Sequence, residues 1–431
     1  MRVRSAGTCY AALGCCSALL LLSACGPAQH PASPASSPTV RVAQGPARLP
    51  VPRGDGSRVD DDFNGDGHRD LVLDQLAKAQ AHADDPGIGI VYGSARGLNP
   101  ATRQLLSPEK NAAATDGQLP ALFEAEASCD LDGDGFTDLV VSTDPPYDGQ
   151  GQPPVPLQLL FGSPQGLAGK AVTLTVPVRA RVGNDWPDRP VCGDFDGDGA
   201  EDLVLHASGG RLSFLRGPFT RKGAARAAGD PIASPGNIPT GPATDVDRDG
   251  YDDLLVRTAE GSGPTAVVLG GPAGPTRTGV TLPAGIDVAL GDFGKGRARD
   301  AAVGTMGETS LRYDLPTAAR ATLASAGSML DAADFDGDGR DELVSSGARL
   351  RLFPGGTAGL SGEPVTVEPP GTGTTRVVSV ADLDGDGRAD LTVRTYRSET
   401  RDLVAVYPGT KQGLVAAEPT VTFSTAAFLG H

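Results

Sequence analysis

The chain has 431 residues and a formal net charge of −16, with 59 glycines and 36 prolines. The acidity argues against nucleic-acid binding, which needs a basic face to contact phosphates. The glycine and proline content indicates many turns between short strands, and the length suits one large repeat array.

Residues 1–24 have the features of an export signal: arginines near the start, an apolar stretch, and small residues before Cys25. The sequence LSAC ending at Cys25 resembles the lipobox of bacterial lipoproteins, in which the cysteine becomes the lipidated first residue. The alternative is an ordinary signal peptide that happens to contain cysteine, and hence a secreted protein. We expect an exported protein held by a lipid at Cys25 on the outer face of the cell membrane.

Residues 25–55 are rich in proline, alanine and serine. This composition is typical of a flexible tether. Nothing after residue 25 is apolar for long enough to span a bilayer. We therefore expect residues 56–431 to form the folded domain.

An acidic motif divides this domain into repeats. The first copy, residues 62–71, reads DFNGDGHRDL, and six more copies start at Asp130, Asp194, Asp245, Asp292, Asp334 and Asp382. The motif recurs about every 50 residues, a period typical of propeller blades or a similar array.

A second shared feature is an apolar strand that ends in glycine and follows the motif. Examples end at Gly93, Gly162, Gly270, Gly355 and Gly409, and a Gly-Leu pair often comes a few residues later. Each repeat thus contains four short strands separated by the acidic loop and by turns. Because four antiparallel strands make a propeller blade, the sequence predicts an all-β, seven-bladed β-propeller with calcium-binding loops.

The chemistry of the motif points to calcium. Positions 1, 3, 5 and 9 carry side-chain oxygens, glycine at position 6 permits a sharp turn, and the carbonyl at position 7 can supply another oxygen. Hard oxygen ligands in a flexible loop suit Ca²⁺ better than Mg²⁺ or Zn²⁺. A solvated acidic turn without metal is the plainer interpretation, but six such turns in register favour a metal.

An EF-hand begins with the same pattern but needs an acidic residue at position 12 and a following helix. Position 12 here holds Leu73, Val141, Leu205, Val256, Ser345 or Val393, and strand-forming residues follow the motif. The EF-hand is therefore excluded.

Six intact loops predict about six calcium sites. The ligands expected at positions 1, 3, 5, 7 and 9, with position 7 acting through its carbonyl, are Asp62, Asn64, Asp66, His68, Asp70, Asp130, Asp132, Asp134, Phe136, Asp138, Asp194, Asp196, Asp198, Ala200, Asp202, Asp245, Asp247, Asp249, Tyr251, Asp253, Asp334, Asp336, Asp338, Arg340, Glu342, Asp382, Asp384, Asp386, Arg388 and Asp390.

The fifth copy, Asp292–Asp300, departs from the pattern. It keeps only the first and last acids, has glycine at positions 3 and 5, and brings in Lys295 and Arg297. We expect this loop to hold no metal and to be stabilised by an internal Asp–Arg pair.

The motif and the strand that follows it resemble the FG-GAP/VCBS repeats of the integrin alpha-subunit N-terminal propeller. The resemblance covers nearly all of residues 56–431. It implies a circular propeller with Ca²⁺ in the loop between the first two strands of a blade. Relatives include adhesion receptors, lectin-like modules and accessory domains of enzymes, so the family does not fix one activity.

Cys129 and Cys192 are the two cysteines expected in the mature domain, and each lies just ahead of a motif in adjacent repeats. An oxidising exterior permits a disulfide, but an offset of one position relative to the motifs could prevent it. A disulfide and two buried thiols both remain open at this point.

In a four-stranded blade, the connection between the second and third strands and the link to the next blade share the face opposite the acidic loops. These connections are longest in the first repeats, where they contain Tyr147 and Trp186. Long loops on a rigid scaffold are where binding residues concentrate. We expect Tyr147 and Trp186 to contribute to a ligand surface; packing of Trp186 in the interior is the alternative.

The sequence contains no nucleophile elbow, phosphate loop or metal-binding histidine pair that would mark an enzyme. The favoured function is a monomeric cell-surface binding or adhesion module for an extracellular glycan or protein. A calcium-dependent propeller enzyme acting on polysaccharide and a structural envelope protein are the alternatives.

Overall fold

The computed structural model describes residues 48–430, except 182–185, 260, 295, 316–318, 325–326 and 328. The predicted signal peptide, Cys25 and most of the tether lie outside these residues. Among the residues that are described, no helix has the length and apolar character needed to cross a membrane.

Seven antiparallel sheets follow one another along the chain, and each is one blade. First strands are assigned in blades 2–7 at Phe123–Cys129, Val191–Gly193, Ile238–Thr244, Asp287–Gly291, Met329–Ala333 and Thr374–Ala381. The second strands of blades 1–7 are Leu71–Leu73, Asp138–Thr143, Asp202–Ala207, Asp253–Arg257, Asp300–Gly304, Glu342–Ser346 and Asp390–Ser398.

The third strands of blades 1–7 are Ile88–Val91, Leu157–Leu160, Arg211–Phe219, Thr265–Leu269, Thr309–Tyr313, Leu350–Phe353 and Arg401–Tyr407. The fourth strands are Arg103–Leu106, Val172–Thr173, Ala225–Ala228, Arg277–Leu282, Ala319–Leu323, Val365–Val367 and Val421–Phe423. Blade 3 adds a short strand, Ile232–Ala233, and blade 7 a hairpin of Gly409–Thr410 and Leu414–Val415. The helical segments are Pro108–Asn111, Val178–Arg181 and Thr425–Leu429.

The seven-bladed propeller predicted from the sequence is confirmed, with one difference in blade 1. This blade has three assigned strands rather than four. In place of a first strand, the carbonyl of Asp61 accepts a single hydrogen bond from the N–H of Asp70 (2.9 Å). The residues that precede Asp61 pack over the acidic loop. The first strands of successive blades contact one another, which places them around the axis of the ring.

The hydrophobic core lies between the blades rather than within them. Seven apolar clusters each join two neighbouring blades, and the second strands contribute the most buried side chains. Between blades 3 and 4, for example, Val204 packs with Leu254 and Val256. A strand that is covered on both faces reads as a continuous apolar run, which explains stretches such as Leu139–Val141.

The ring closes where blade 7 meets blade 1. An apolar cluster spans this interface, and the buried side chain of Arg394 in blade 7 crosses it. Its guanidinium donates to the backbone carbonyls of Asp74 (2.6 Å) and Gln75 (2.7 Å) in blade 1 and pairs with the buried Asp402 (2.7 Å). A charged group buried in this way needs both its partner and its hydrogen bonds. The ring is therefore closed by a polar contact inside an apolar interface. The ion pair of Arg394 and Asp402, with the hydrogen bonds of Arg394 to blade 1, is called the clasp below.

Cys129 and Cys192 form a disulfide with a Cα–Cα distance of 6.3 Å. The bond joins the first strands of blades 2 and 3, so the offset relative to the motifs does not prevent it. Of the two alternatives left open by the sequence, the disulfide is the one present.

Replacing both cysteines, as Cys129→Ser with Cys192→Ser, is expected to lower the free energy of unfolding by about 2–4 kcal/mol, because the bond closes a long loop in the unfolded chain. Chemical denaturation of the two proteins measures the difference. Equal midpoints and slopes of the two denaturation curves would contradict the prediction.

Candidate metal centres

The acidic loops connect the first and second strands of their blades, so all of them lie on one face of the ring. This face is called the metal face below. The residue at position 2 of each loop is apolar and buried beneath it. These residues are Phe63, Leu131, Phe195, Val246, Phe293, Phe335 and Leu383. A buried residue at position 2 anchors each loop in the core and turns its polar side chains outward.

Left-handed backbone at positions 4 and 6 winds each of the six intact loops tightly. In the second loop Gly133 and Gly135 have φ values of 73° and 86°. Glycine adopts this region without the steric cost that other residues bear. The fourth loop has Arg248 at position 4 with φ of 59°, and its guanidinium reaches Asp292 of the next blade (2.8 Å).

Hydrogen bonds within the loop orient the carboxylates at positions 1 and 5. In the second loop Asp130 accepts the backbone N–H groups of Asp134 (3.1 Å) and Gly135 (2.8 Å). Asp134 in turn accepts the N–H of Phe136 at position 7 (3.1 Å). The same bonds recur in the other intact loops, so the carboxylates are held in place before any cation binds.

The carboxylate at position 9 joins the loop to the third strand. Asp138 accepts the N–H of Leu131 (3.0 Å) at position 2 and the N–H of Gly162 (2.8 Å) at the end of the strand. A Cβ on Gly162 would collide with the carbonyl of Thr137. This contact explains the glycine that ends the third strand. Gly217, which the sequence pattern did not single out, occupies the equivalent place in blade 3.

Side-chain oxygens converge in five loops. The groups are Asp130, Asp132 and Asp138; Asp194, Asp196 and Asp202; Asp245, Asp247 and Asp253; Asp334, Asp336 and Glu342; and Asp382, Asp384 and Asp390, each offering oxygens that lie within 4.8 Å of one another. Glu342 therefore takes the place of aspartate at position 9 as the sequence predicts. The first loop has the amide of Asn64 at position 3 instead of a carboxylate.

The oxygens at position 3 test whether these loops suit a cation. Four of them are buried and have no hydrogen-bond partner among the described residues: Asn64 Oδ1, Asp132 Oδ1, Asp196 Oδ1 and Asp247 Oδ1. A buried oxygen without a partner costs about 1–3 kcal/mol or more, so its recurrence at one position needs an explanation. A hard cation bound by all of the loop oxygens satisfies these atoms, and the donor set fits Ca²⁺.

Burial and mutual repulsion raise the pKa values of these acids. Burial, followed by the charge of Asp134, raises the pKa of Asp132 to about 6. Burial raises the pKa of Asp138 to about 8 and that of Glu342 to about 7. Acids that resist ionisation in an anionic cluster are stabilised as carboxylates by a bound cation.

Arginines lie against the outer oxygens of several loops. Arg221 of blade 3 reaches across to Asp132 of blade 2 (2.7 Å), and Arg277 pairs with Asp249 of its own blade (2.7 Å). These half-exposed cations leave the inner oxygens of the loops free to face a metal. Arg221 also connects two neighbouring blades.

The fifth loop is built differently. Asp292 pairs with Arg299 of the same loop (3.3 Å), the internal Asp–Arg pair that the sequence predicts. Asp314 caps the loop by accepting the N–H groups of Arg297 (2.7 Å) and Ala298 (3.0 Å). Lys295 lies outside the described residues. In this blade the guanidinium of Arg299 thus balances the charge of Asp292, and the carboxylate of Asp314 binds the backbone of the loop.

Residues at position 7 have a second role that the sequence did not indicate. Their N–H groups bind the position 5 carboxylates, while three of their side chains lie over the position 4 glycine of the preceding blade. Phe136 covers Gly65, Tyr251 covers Gly197 and Arg388 covers Gly337. Contributions of the position 7 carbonyls to a metal remain a prediction.

The first loop is covered by the chain that leads into the propeller. Gly54 donates to the carbonyl of Asn64 (3.1 Å), and the Ser57 hydroxyl donates to Asp62 (2.6 Å). Asp62 and Asn64 are consequently 1% and 0% exposed, whereas positions 1 and 3 of the second loop are partly exposed. The last residues of the predicted tether therefore pack on the metal face.

Tyr147 and Trp186 lie in connections on the face opposite the metal face. Tyr147 is 44% exposed and its hydroxyl donates to the carbonyl of Gly151 (3.0 Å). Trp186 is partly buried, directly after the undescribed residues 182–185. Their part in a ligand surface remains a prediction.

Comparison with known families matches two stretches of the repeat array. Residues 334–393 match the FG-GAP-like repeat and residues 124–153 match the FG-GAP repeat. No curated protein sequence matches the chain.

Comparison with solved structures gives matches at low identity and low TM-score. The BP39L lectin of Burkholderia pseudomallei is 12% identical, with 83% of this chain and 99% of the lectin covered and a TM-score of 0.47. The V. cholerae biofilm matrix protein Bap1 is 12% identical over 89% of this chain and 95% of that chain, with a TM-score of 0.37. A putative 6-phosphogluconolactonase from Bacteroides fragilis is 12% identical over 82% and 95%, with a TM-score of 0.43. Similarities of this size carry no argument about function.

Proposed function

We propose that this FG-GAP repeat propeller is a calcium-stabilised binding module whose ligand surface is the face opposite the metal loops. The calcium ions have a structural role: each would tie together the oxygens of one loop and, through that loop, the first three strands of a blade. The ligand is an extracellular glycan or protein, and the module is a monomer.

The observation that carries the metal assignment is the row of buried, unpartnered oxygens at position 3. In each intact loop the residues at positions 1, 3, 5 and 9 would hold the ion, as Asp130, Asp132, Asp134 and Asp138 would in the second loop. A bound Ca²⁺ supplies positive charge and coordination there, and no reaction is assigned to it.

The choice of face follows from the construction of the blades. On the metal face the loop side chains are engaged by backbone N–H groups, arginines and neighbouring blades. The opposite face carries the longest connections, including those with Tyr147 and Trp186. Amphipathic aromatic side chains supply much of the affinity at binding surfaces, so these two residues are the first candidates for contact.

The proposed location is the outer side of the bacterial cell membrane. The N-terminal sequence supports export and a lipid anchor at Cys25. The disulfide between Cys129 and Cys192 supports an oxidising compartment outside the cytoplasm.

Replacing both Tyr147 and Trp186 by alanine is expected to weaken ligand binding at least tenfold, about 1.4 kcal/mol, because exposed aromatic contacts are lost. The measurement is binding to a glycan and protein array in the presence of calcium, followed by titration of each hit. Met306→Ala is the matched control, since this apolar side chain is 81% exposed in a hairpin on the same face.

Unchanged affinity in the double variant would place the ligand elsewhere. Release of products from an arrayed polysaccharide would favour the alternative of a propeller enzyme.

A further inference from the structure

A second candidate binding site lies between blades 6 and 7. It is a cavity with a volume of about 490 Å³, within the range of small-molecule sites. One wall is the hairpin that joins the second and third strands of blade 6, residues 346–350; the other is the link into blade 7 and the start of its first strand, residues 367–377. Both walls belong to the face opposite the metal face.

The cavity is positively charged although the protein is strongly acidic. Arg349 and Arg376 line it, and Arg397 lies over Gly371 at its edge, where a Cβ would collide with the guanidinium. Glu368 is the acidic residue in the lining. Among the described residues, no carboxylate lies within ion-pair distance of these three arginines, whereas on the metal face Arg221 and Arg277 are paired with aspartates.

The side chain of Arg376 is held in position by a neighbouring aromatic ring. Its guanidinium lies against the ring of Tyr396, 5.9 Å from the centroid, and the same ring is 4.4 Å from the guanidinium of the buried Arg394. Arg394 is fixed in turn by Asp402 and by the carbonyls of blade 1. Contact with an aromatic ring restrains an arginine without neutralising it, so Arg376 keeps its charge available.

The rest of the lining favours a hydroxyl-rich ligand. Its surface is more polar than apolar, and it includes the hydroxyl of Thr374 and exposed backbone at Gly347 and Gly373. The hydroxyls of Ser346 and Thr375 also line it, where they are hydrogen-bonded to the Met329 carbonyl (3.5 Å) and to Thr395 (2.9 Å). Guanidinium groups bind carboxylate and phosphate oxygens through paired, charge-assisted hydrogen bonds. Hydroxyl and backbone groups form neutral hydrogen bonds with the hydroxyls of a sugar.

We propose that this cavity binds a carbohydrate that carries an oxyanion, with Arg349 and Arg376 contacting the anionic group. The site stands apart from the surface around Tyr147 and Trp186 and does not depend on it. Because the arginines recognise the oxyanion itself, the group is a carboxylate, as in an acidic sugar, or a phosphate attached to a polyol or free in solution.

The test is isothermal titration of the full domain in calcium buffer at low ionic strength with three probes: a glucuronate disaccharide, the neutral disaccharide cellobiose, and inorganic phosphate. We expect the acidic disaccharide to bind and cellobiose not to bind. In the variant with Arg349→Ala and Arg376→Ala, affinity for the acidic disaccharide is expected to fall at least tenfold. Increasing salt is expected to weaken binding to the unmodified protein.

Arg320→Ala provides the control, because this arginine is exposed on the fourth strand of blade 5, away from the cavity. Equal melting temperatures of the variants show that folding is unaffected. Binding of phosphate with the same dependence on Arg349 and Arg376 supports the oxyanion site and assigns recognition to the anion alone. Equal affinity for cellobiose, or unchanged affinity in the double variant, overturns the proposal, while array ligands of the Tyr147 and Trp186 surface are unaffected by either result.

Discussion

Removing calcium is expected to unfold this propeller or to lower its melting temperature by tens of degrees. An ion that binds only the folded state stabilises it by about 2.7 kcal/mol when its concentration is 100 times the dissociation constant. Six such sites together would contribute about 16 kcal/mol, as much as the whole stability of an ordinary domain, about 5–15 kcal/mol. The unpartnered oxygens at position 3 would then be left buried without a cation.

Thermal melting in millimolar Ca²⁺, and again after an excess of chelator, measures this effect. Mg²⁺ is the control cation, because it demands a regular octahedral site and gives up its waters reluctantly. A calcium titration of Asp132→Ala, which removes the position 3 oxygens altogether, should show about one site fewer than the unmodified protein, whereas Asp292→Ala in the fifth loop should leave the number unchanged. A melting temperature that does not respond to chelation would refute the structural role of the loops.

The pH dependence of the chelated protein offers an independent check. Burial raises the pKa of Asp138 to about 8, and those of Asp202 and Glu342 to about 7, compared with about 4 in an unfolded chain. Between these values the folded state binds more protons than the unfolded state, so the free energy of unfolding falls as the pH rises from about 4 to 8. Bound calcium should abolish this fall in the free energy of unfolding, since it keeps the same groups ionised as carboxylates.

Breaking the clasp between blades 7 and 1 is the second large effect. Asp402→Ala is expected to cost about 3–5 kcal/mol, because it leaves the guanidinium of Arg394 buried without its counter-charge. The same carboxylate also accepts hydrogen bonds from Ser424 (2.8 Å) and Thr425 (2.6 Å), which hold the final helical turn in place. The ring should open at this interface first.

Urea denaturation monitored by circular dichroism measures the cost, and hydrogen exchange of the strands in blades 1 and 7 locates it. Asp60→Ala is the matched control: this residue also pairs with an arginine, but its side chain is 83% exposed, so a change below about 1 kcal/mol is expected. Replacing Arg394 by Met and Asp402 by Leu together should cost less than Asp402→Ala alone, since no charge is then left buried. Equal losses in the free energy of unfolding for Asp60→Ala and Asp402→Ala would contradict the stabilising role of the clasp.

Local features of the repeat could be predicted from the sequence because their causes are local. An apolar residue at position 2, glycine at position 6 and acids at positions 1, 3 and 5 all act within ten residues of chain. The blade count followed from the number of motifs. Glycine at the end of the third strand was also visible, although its reason, the nearby carbonyl at position 8, needed the structure.

Contacts between distant parts of the chain could not be predicted in this way. The hydrogen bond from Arg394 to Asp74 spans 320 residues, and nothing near either residue in the sequence marks it. The disulfide required the spacing of two blades around the axis, and the arginines of the cavity come from a hairpin of blade 6 and from strands of blade 7. Blade 1 lacks an assigned first strand because the incoming chain packs against its loop, which no periodic pattern shows.

The path of residues 49–57 across the first loop also determines on which face the chain enters the propeller. Leu49 is hydrogen-bonded to Ala101 at the rim, and the chain then runs inward over the loop of Asp62. The chain therefore enters the propeller on the side that carries the acidic loops, opposite the arginine-lined cavity.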